Sequence, residues 1–110
     1  MPRLSISQQS KIQNGRPRIA TVAYAATITL DASNAQTQQI TLTGPVTIAA
    51  PKGGVTGDRL SLILIQDATG GRNVTWNAVF KNAPAISGAA ANAINAPEFV
   101  YNGVNWIYIA

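Results

Sequence analysis

The sequence predicts an all-β protein: an antiparallel β-sandwich or jelly-roll-like body over residues 21–110, behind an extended N-terminal arm over residues 1–20. Three observations predict it. Several short runs alternate apolar with polar residues at period 2, which buries one face of a strand and wets the other. Gly, Pro, Asn and Asp punctuate those runs at short intervals. No segment carries a convincing apolar repeat at helical spacing.

The arm comes first. Its Ser, Gln, Asn and Arg residues outnumber its apolar ones, and Leu4, Ile6, Ile12 and Ile19 are too sparse to make a core alone. Asn14-Gly15 and Arg16-Pro17 are turn and helix-breaking steps. An extended segment that orders against a partner is the natural reading. Charge separates arm from body. The net charge of +4 resides in Arg3, Lys11, Arg16 and Arg18, with no acid among residues 1–20. From residue 21 onward Lys52, Arg59, Arg72 and Lys81 balance Asp31, Asp58, Asp67 and Glu98.

In the body, Thr27-Ile28-Thr29-Leu30 and Gln39-Ile40-Thr41-Leu42-Thr43 alternate cleanly, and Val46-Thr47-Ile48 resumes the pattern after Gly44-Pro45. Pro51 and Gly53-Gly54 open a longer loop. The run Leu60-Ser61-Leu62-Ile63-Leu64-Ile65 is different, because both of its faces are apolar. Such a strand sits centrally, or between its own core and a neighbouring subunit. A glycine turn, Asp67 to Arg72, then returns the chain as Asn73-Val74-Thr75-Trp76. Residues 82–97 hold enough alanine for a helical turn, but Pro84, Gly88 and Pro97 favour a loop. The chain closes as a hairpin: Asn102-Gly103 between Glu98–Tyr101 and Val104–Ile109, with positive φ expected at both turn positions.

Composition excludes much chemistry. With no Cys and no His, the chain has no disulfide, no thiolate or imidazole metal ligand and no Ser-His or Cys-His nucleophile system. No metal, cofactor or catalytic residue is expected. Gly53-Gly54 and Gly70-Gly71 lack the Lys-Ser/Thr of a phosphate loop. The four acids are far apart in sequence and lie beside turns or strand ends, which suits capping rather than paired-carboxylate hydrolysis. No apolar run spans a membrane, and the N-terminus lacks the apolar region of a secretory signal. Asp67 and Arg72 are placed to neutralise each other across a self-stabilised turn; a contact loop is the competing reading. Trp76, Trp106, Tyr101 and Tyr108 could stack on a sugar, but such residues more often fill a core or subunit interface. The arm's four cations are too few, without interleaved aromatics, for a strong nucleic-acid footprint.

The order of these elements resembles the small β-sandwich domains of tailed-phage virion proteins, found in head decoration (cement) proteins and at the ends of tail fibres and spikes. Gln66-Asp67-Ala68-Thr69-Gly70-Gly71-Arg72-Asn73-Val74-Thr75-Trp76 carries most of the resemblance, with Gly57-Asp58-Arg59-Leu60 before it and Phe99-Val100-Tyr101-Asn102-Gly103-Val104-Asn105-Trp106 after it. It implies a virion protein made in the host bacterial cytoplasm, and a homotrimer. Leu60, Leu62, Ile63, Leu64, Ile65, Trp76 and Trp106 are the expected subunit-interface residues. The absence of a fibre shaft, and of a glycine-rich run after Trp76, favours a decoration protein on the capsid surface. There it would stabilise the shell by bridging major capsid protein subunits. The arm would then dock on the shell through Arg3, Leu4, Ile6, Lys11, Ile12, Arg16 and Arg18. The alternative is a fibre or spike tip holding a host glycan; a more distant one is nucleic-acid binding through the arm.

Overall fold

The computed structural model describes residues 19–110. Their regular structure is all strand: β1 (Ile19–Thr21), β2 (Thr27–Ile28), β3 (Thr37–Leu42), β4 (Val46–Ile48), β5 (Arg59–Gln66), β6 (Val74–Trp76), β7 (Phe80–Lys81), β8 (Ile94–Asn95), β9 (Glu98–Tyr101) and β10 (Trp106–Tyr108). The arm expected at residues 1–18 lies outside the described residues. Ile19 and Ala20, read as its last two positions, belong to β1.

The expectation of an all-β chain holds, but that of an antiparallel sandwich or jelly roll does not. Strands β1, β3 and β5 pair parallel in one sheet, and β2, β4 and β6 pair parallel in another. The chain alternates between the two sheets, so its first six strands form a solenoid-like coil. Period-2 patterning reports which face of a strand is buried. It does not report which strand lies alongside, and so both arrangements fit the same alternation. What decides is the connection. The turn at residues 43–45 carries the chain from β3 across to the other sheet, rather than back along the edge of β3.

That turn explains one glycine. A Cβ on Gly44 would sit 2.5 Å from the Tyr24 hydroxyl. The same hydroxyl donates to the Pro45 carbonyl at 2.7 Å, so the ring closes over the turn.

The core lies between the sheets. Ile40 and Leu42 of β3 and Leu60, Leu62 and Leu64 of β5 are fully buried, and Ile28, Val46 and Ile48 face them from the smaller sheet. Two buried polar side chains hold the bends of the coil. Gln38 donates to the carbonyls of Asp31 and Ala35 at 2.8 and 3.0 Å. Gln66 grips the peptide of Arg72 from both sides, accepting from its N–H at 2.8 Å and donating to its carbonyl at 2.9 Å. Each buried amide thus serves backbone groups at the points where the chain leaves the sheet.

The far edge of β5 is closed by antiparallel strands. β8 pairs with it over Leu64 and Ile65, and β9 over Arg59 to Ser61. β10 and β7 complete a sheet of order β1-β3-β5-β9-β10-β7. The closing hairpin is present, with Trp106 opposite Tyr101. Its turn is not the expected two-residue form. Gly103 has φ 97°, whereas Asn102 stays at negative φ. The Asn102 side chain instead accepts from the N–H groups of Val104 and Asn105 at 2.9 and 2.7 Å, capping a longer turn. Residues 82–97 are mostly loop, as their prolines indicated, apart from the short β8.

Leu62→Ala empties a fully buried position and is expected to lower the unfolding free energy by about 2–5 kcal/mol in urea titration. Thr41→Ala, on the outer face, is expected to change it by less than about 1 kcal/mol.

Candidate interaction surface

The side chains of the larger sheet that turn away from the core define its outer face. Leu60, Leu62 and Leu64 point inward, so Arg59, Ser61, Ile63 and Ile65 point outward. The register carries that face across the sheet. Thr37, Gln39 and Thr41 stand beside Ser61, Ile63 and Ile65. On the other side Ile94 stands beside Ile65, Glu98 beside Ser61 and Val100 beside Arg59, with Ile107 next to Val100. Ile94 is 61% exposed and Ile109 42%. The result is a face of branched aliphatic side chains broken by the acid Glu98 and the base Arg59, with Lys81 beside Ile107 at its edge.

The expected interface residues divide between this face and the core. Ile63 and Ile65 are half-buried on the strip. Leu60, Leu62 and Leu64 are 0% exposed and Trp106 only 2%, so within one chain their surface is already taken. Trp76 is half-buried, packs 5.1 Å from Phe80 and 5.4 Å from Phe99, and donates its Nε1–H to the Pro84 carbonyl at 2.9 Å. Arg3, Leu4, Ile6, Lys11, Ile12, Arg16 and Arg18 lie outside the described residues. Sequence reasoning missed Ile94, Val100, Ile107 and Ile109 as members of the face. Val100 was legible, because the flanking Phe99 and Tyr101 point the other way. Ile94 was hidden in a segment read as loop.

The Asp67–Arg72 turn is self-stabilised. Oδ1 of Asp67 accepts from the N–H groups of Thr69 and Gly70 at 3.1 and 3.0 Å, and Oδ2 meets Arg72 Nη2 at 3.0 Å. The Arg72 guanidinium, followed by those two N–H groups, holds the Asp67 carboxyl below its ordinary range. Gly70 has φ 73°, and a Cβ there would strike the Ala91 nitrogen at 2.5 Å. The turn needs glycine both for its backbone and for its seat against residues 89–93, where Gly71 N–H donates to Ala89 at 2.7 Å.

Neither a sugar platform nor a carboxylate pair is assembled by the described residues. Tyr101 and Trp106 stack on each other at 4.6 Å, and Tyr108 packs edge-on against Phe99 at 5.9 Å. A cleft of about 150 Å³ is lined by Pro84, Asn95, Ala96, Pro97, Tyr108 and Ala110, well short of the about 300–1,000 Å³ typical of ligand pockets. Asp31 accepts from the Ser33 N–H and hydroxyl, and Asp58 from the Val55 N–H, so both cap local turns. No group of three or more His, Cys, Asp or Glu able to hold a metal occurs among the described residues.

Comparison with protein families gives a match over most of the chain. Residues 17–106 match a family model described as "Putative phage tail fibre C-terminal domain". No curated protein matches the chain.

The Asp67 carboxyl titrates lower in the folded chain than in the unfolded one. Its stabilising effect is therefore fully present above the unfolded value and is lost as pH falls through the folded value. Asp67→Asn is expected to lower Tm at pH 7, and the gap from wild type should narrow once pH drops below the ordinary carboxylate value of 3.8. A gap that stays constant down to strongly acid pH would show that the charge is immaterial.

Proposed function

The chain belongs to the phage tail fibre C-terminal domain family, and from that premise we propose that it is a distal tail-fibre module that meets the host surface. As a member of that family it is a phage virion structural protein. The match over residues 17–106 carries the tail reading, because it covers nearly all of the body and only the last four positions of the arm. The decoration reading drew on the lack of a shaft and on an arm outside the described residues, and the match takes in little of that arm. In the proposed role the protein acts by binding and assembly, not by catalysis.

We further propose that three copies associate through the outer face of the larger sheet. Ile63, Ile65 and Ile94 supply a contiguous apolar patch there, with Val100 beyond Ser61 and Glu98. Association would cover side chains that otherwise stand in water, and would leave the loops at the sheet ends to the host. Two such loops, at residues 52–58 and 102–105, expose Val55 and Val104 at 67% and 71%. They are joined at their bases by the hydrogen bond from Gly57 N–H to the Tyr101 carbonyl, 2.7 Å. A neutral body surface suits a polyol such as a cell-surface polysaccharide better than a charged polymer.

Immunogold labelling of intact particles tests the location. Gold at fibre tips is expected, and gold spread over the heads would return the protein to the shell. Light scattering after gel filtration tests the assembly. Ile63→Asp with Ile94→Asp is expected to reduce the particle to a single chain of 11.5 kDa, while near-ultraviolet circular dichroism stays that of the folded body. An unchanged mass would remove this face from the interface.

A further inference from the structure

Two opposite charges stand close together on the outer face of the larger sheet, on the adjacent strands β5 and β9. Arg59 lies beside Val100, and Glu98 lies beside Ser61. Leu60 and Phe99, the pair between them, are fully buried, so Arg59 and Glu98 are diagonal neighbours on the outer side. Arg59 is exposed and Glu98 half-buried. Aliphatic side chains lie around them: Ile63, Ile65 and Ile94 along β5 and β8, and Val100 and Ile107 on β9 and β10.

Among the described residues neither charge has an ion-pair partner, whereas Arg72 and Asp67 pair at 3.0 Å. For Arg59 the whole chain holds few candidates. Its acids are Asp31, Asp58, Asp67 and Glu98, and all four are described. Asp67 is engaged by Arg72, Asp31 by Ser33 and Asp58 by the Val55 N–H. Glu98 is the acid that shares the face of Arg59, and the two stay unbridged across their diagonal.

An acid and a base set into an apolar face are unfavourable to cover singly, because each loses water without gaining a counter-charge. An acidic partner would match Arg59 alone, a basic one Glu98 alone, and a neutral one neither. A second copy of the same face matches both. Building on the proposed association through this face, we propose that Arg59 of one copy pairs with Glu98 of the neighbouring copy. Each copy then gives its base to one neighbour and its acid to the other, the head-to-tail contact that a closed ring of three requires.

The pair adds what the isoleucines lack. Apolar contact has no direction, so Ile63, Ile65 and Ile94 alone would tolerate sliding or inversion of one sheet on another. With Arg59 and Glu98 present, a slipped or inverted arrangement sets like charges together or leaves both unpaired, and one register is selected.

Charge exchange on the full chain tests this, read by light scattering after gel filtration and by native mass spectrometry. The unsubstituted chain is expected to run as three copies. Arg59→Glu and Glu98→Arg should each weaken assembly at least about tenfold, with the near-ultraviolet circular dichroism of the folded body retained. Glu98→Gln, uncharged and of the same shape, keeps the test readable if a reversed charge disturbs folding, and should weaken assembly in the same sense. The double variant Arg59→Glu with Glu98→Arg should assemble again. Mixing the two single variants should bring both into one particle, which a pair confined to one chain would not do. A single-chain mass for the unsubstituted protein would remove the association itself, and the pairing with it. Assembly that persists in both single variants would overturn the pairing and leave the association standing. Rescue by the double variant without mixed particles would place the pair within one chain, and failure of both rescues would remove it altogether.

Discussion

In the parallel register of β3 against β5, Gln38 lies beside Leu62, Ile40 beside Leu64 and Leu42 beside Gln66. Six consecutive pairs make this the longest ladder among the described residues, and the other elements take their places from it. It aligns the inward side chains of two coil turns so that Val46 and Ile48 of the smaller sheet meet a continuous apolar wall. It fixes β5 as a central strand, buried on one face by the core and flanked on both edges. A slip of one residue would drive Leu60, Leu62 and Leu64 into water and Ile63 and Ile65 into the core. The buried amides of Gln38 and Gln66 resist that slip. Each is paired to particular backbone groups at a bend, and displacement would leave those groups buried and unpaired.

The same register determines what the surface can do. Because β5 is apolar on both faces, the sheet that encloses the core also presents an aliphatic strip on its outside. The antiparallel strands β8, β9 and β10 widen that strip with Ile94, Val100 and Ile107, and Glu98 of β9 breaks it. Polar groups that looked able to do chemistry are engaged locally: Asp31, Asp58 and Asp67 each hold a turn. The aromatic residues form a packed cluster, with Phe80 and Phe99 at 5.0 Å and Phe99 reached by both Trp76 and Tyr108. A body of this kind is built to hold a shape and display it. That suits the proposed role as a fibre end.

Much of this was legible in the residues. Period-2 alternation marked β2, β3 and β4, and the two-faced Leu60–Ile65 run marked β5 as the central strand. The Asp67–Arg72 turn followed from its glycines and its opposed charges. Other features were hidden for physical reasons. Parallel pairing leaves no trace in alternation, since a strand buries the same face whichever neighbour it takes. β1 and β8 are short and make sense only against long partners already in place, so local pattern undervalued Ile19–Thr21 and Ile94–Asn95. The burial of Gln38 and Gln66 was not legible, because nothing local indicates that their partners are main-chain groups brought near by the fold. The interface was half legible. A strand with two apolar faces advertises a second contact, but only the register assigns Ile63 and Ile65 to it and Leu60, Leu62 and Leu64 to the core.

The parallel coil is the central claim, and a chain with no native cysteine allows a clean test by paired substitution. Thr37 and Ser61 are outward neighbours in the parallel register, at the separation of adjacent strands, about 4.8 Å. Thr37→Cys with Ser61→Cys should therefore close an intramolecular disulfide on mild oxidation. In an antiparallel hairpin through Gly44-Pro45, Thr41 and Thr47 would instead be cross-strand neighbours; in the coil they stand on the outer faces of different sheets. Thr41→Cys with Thr47→Cys should remain reduced in the folded chain. Rapid closure of the Thr41 and Thr47 pair, with the Thr37 and Ser61 pair left open, would contradict the parallel fold.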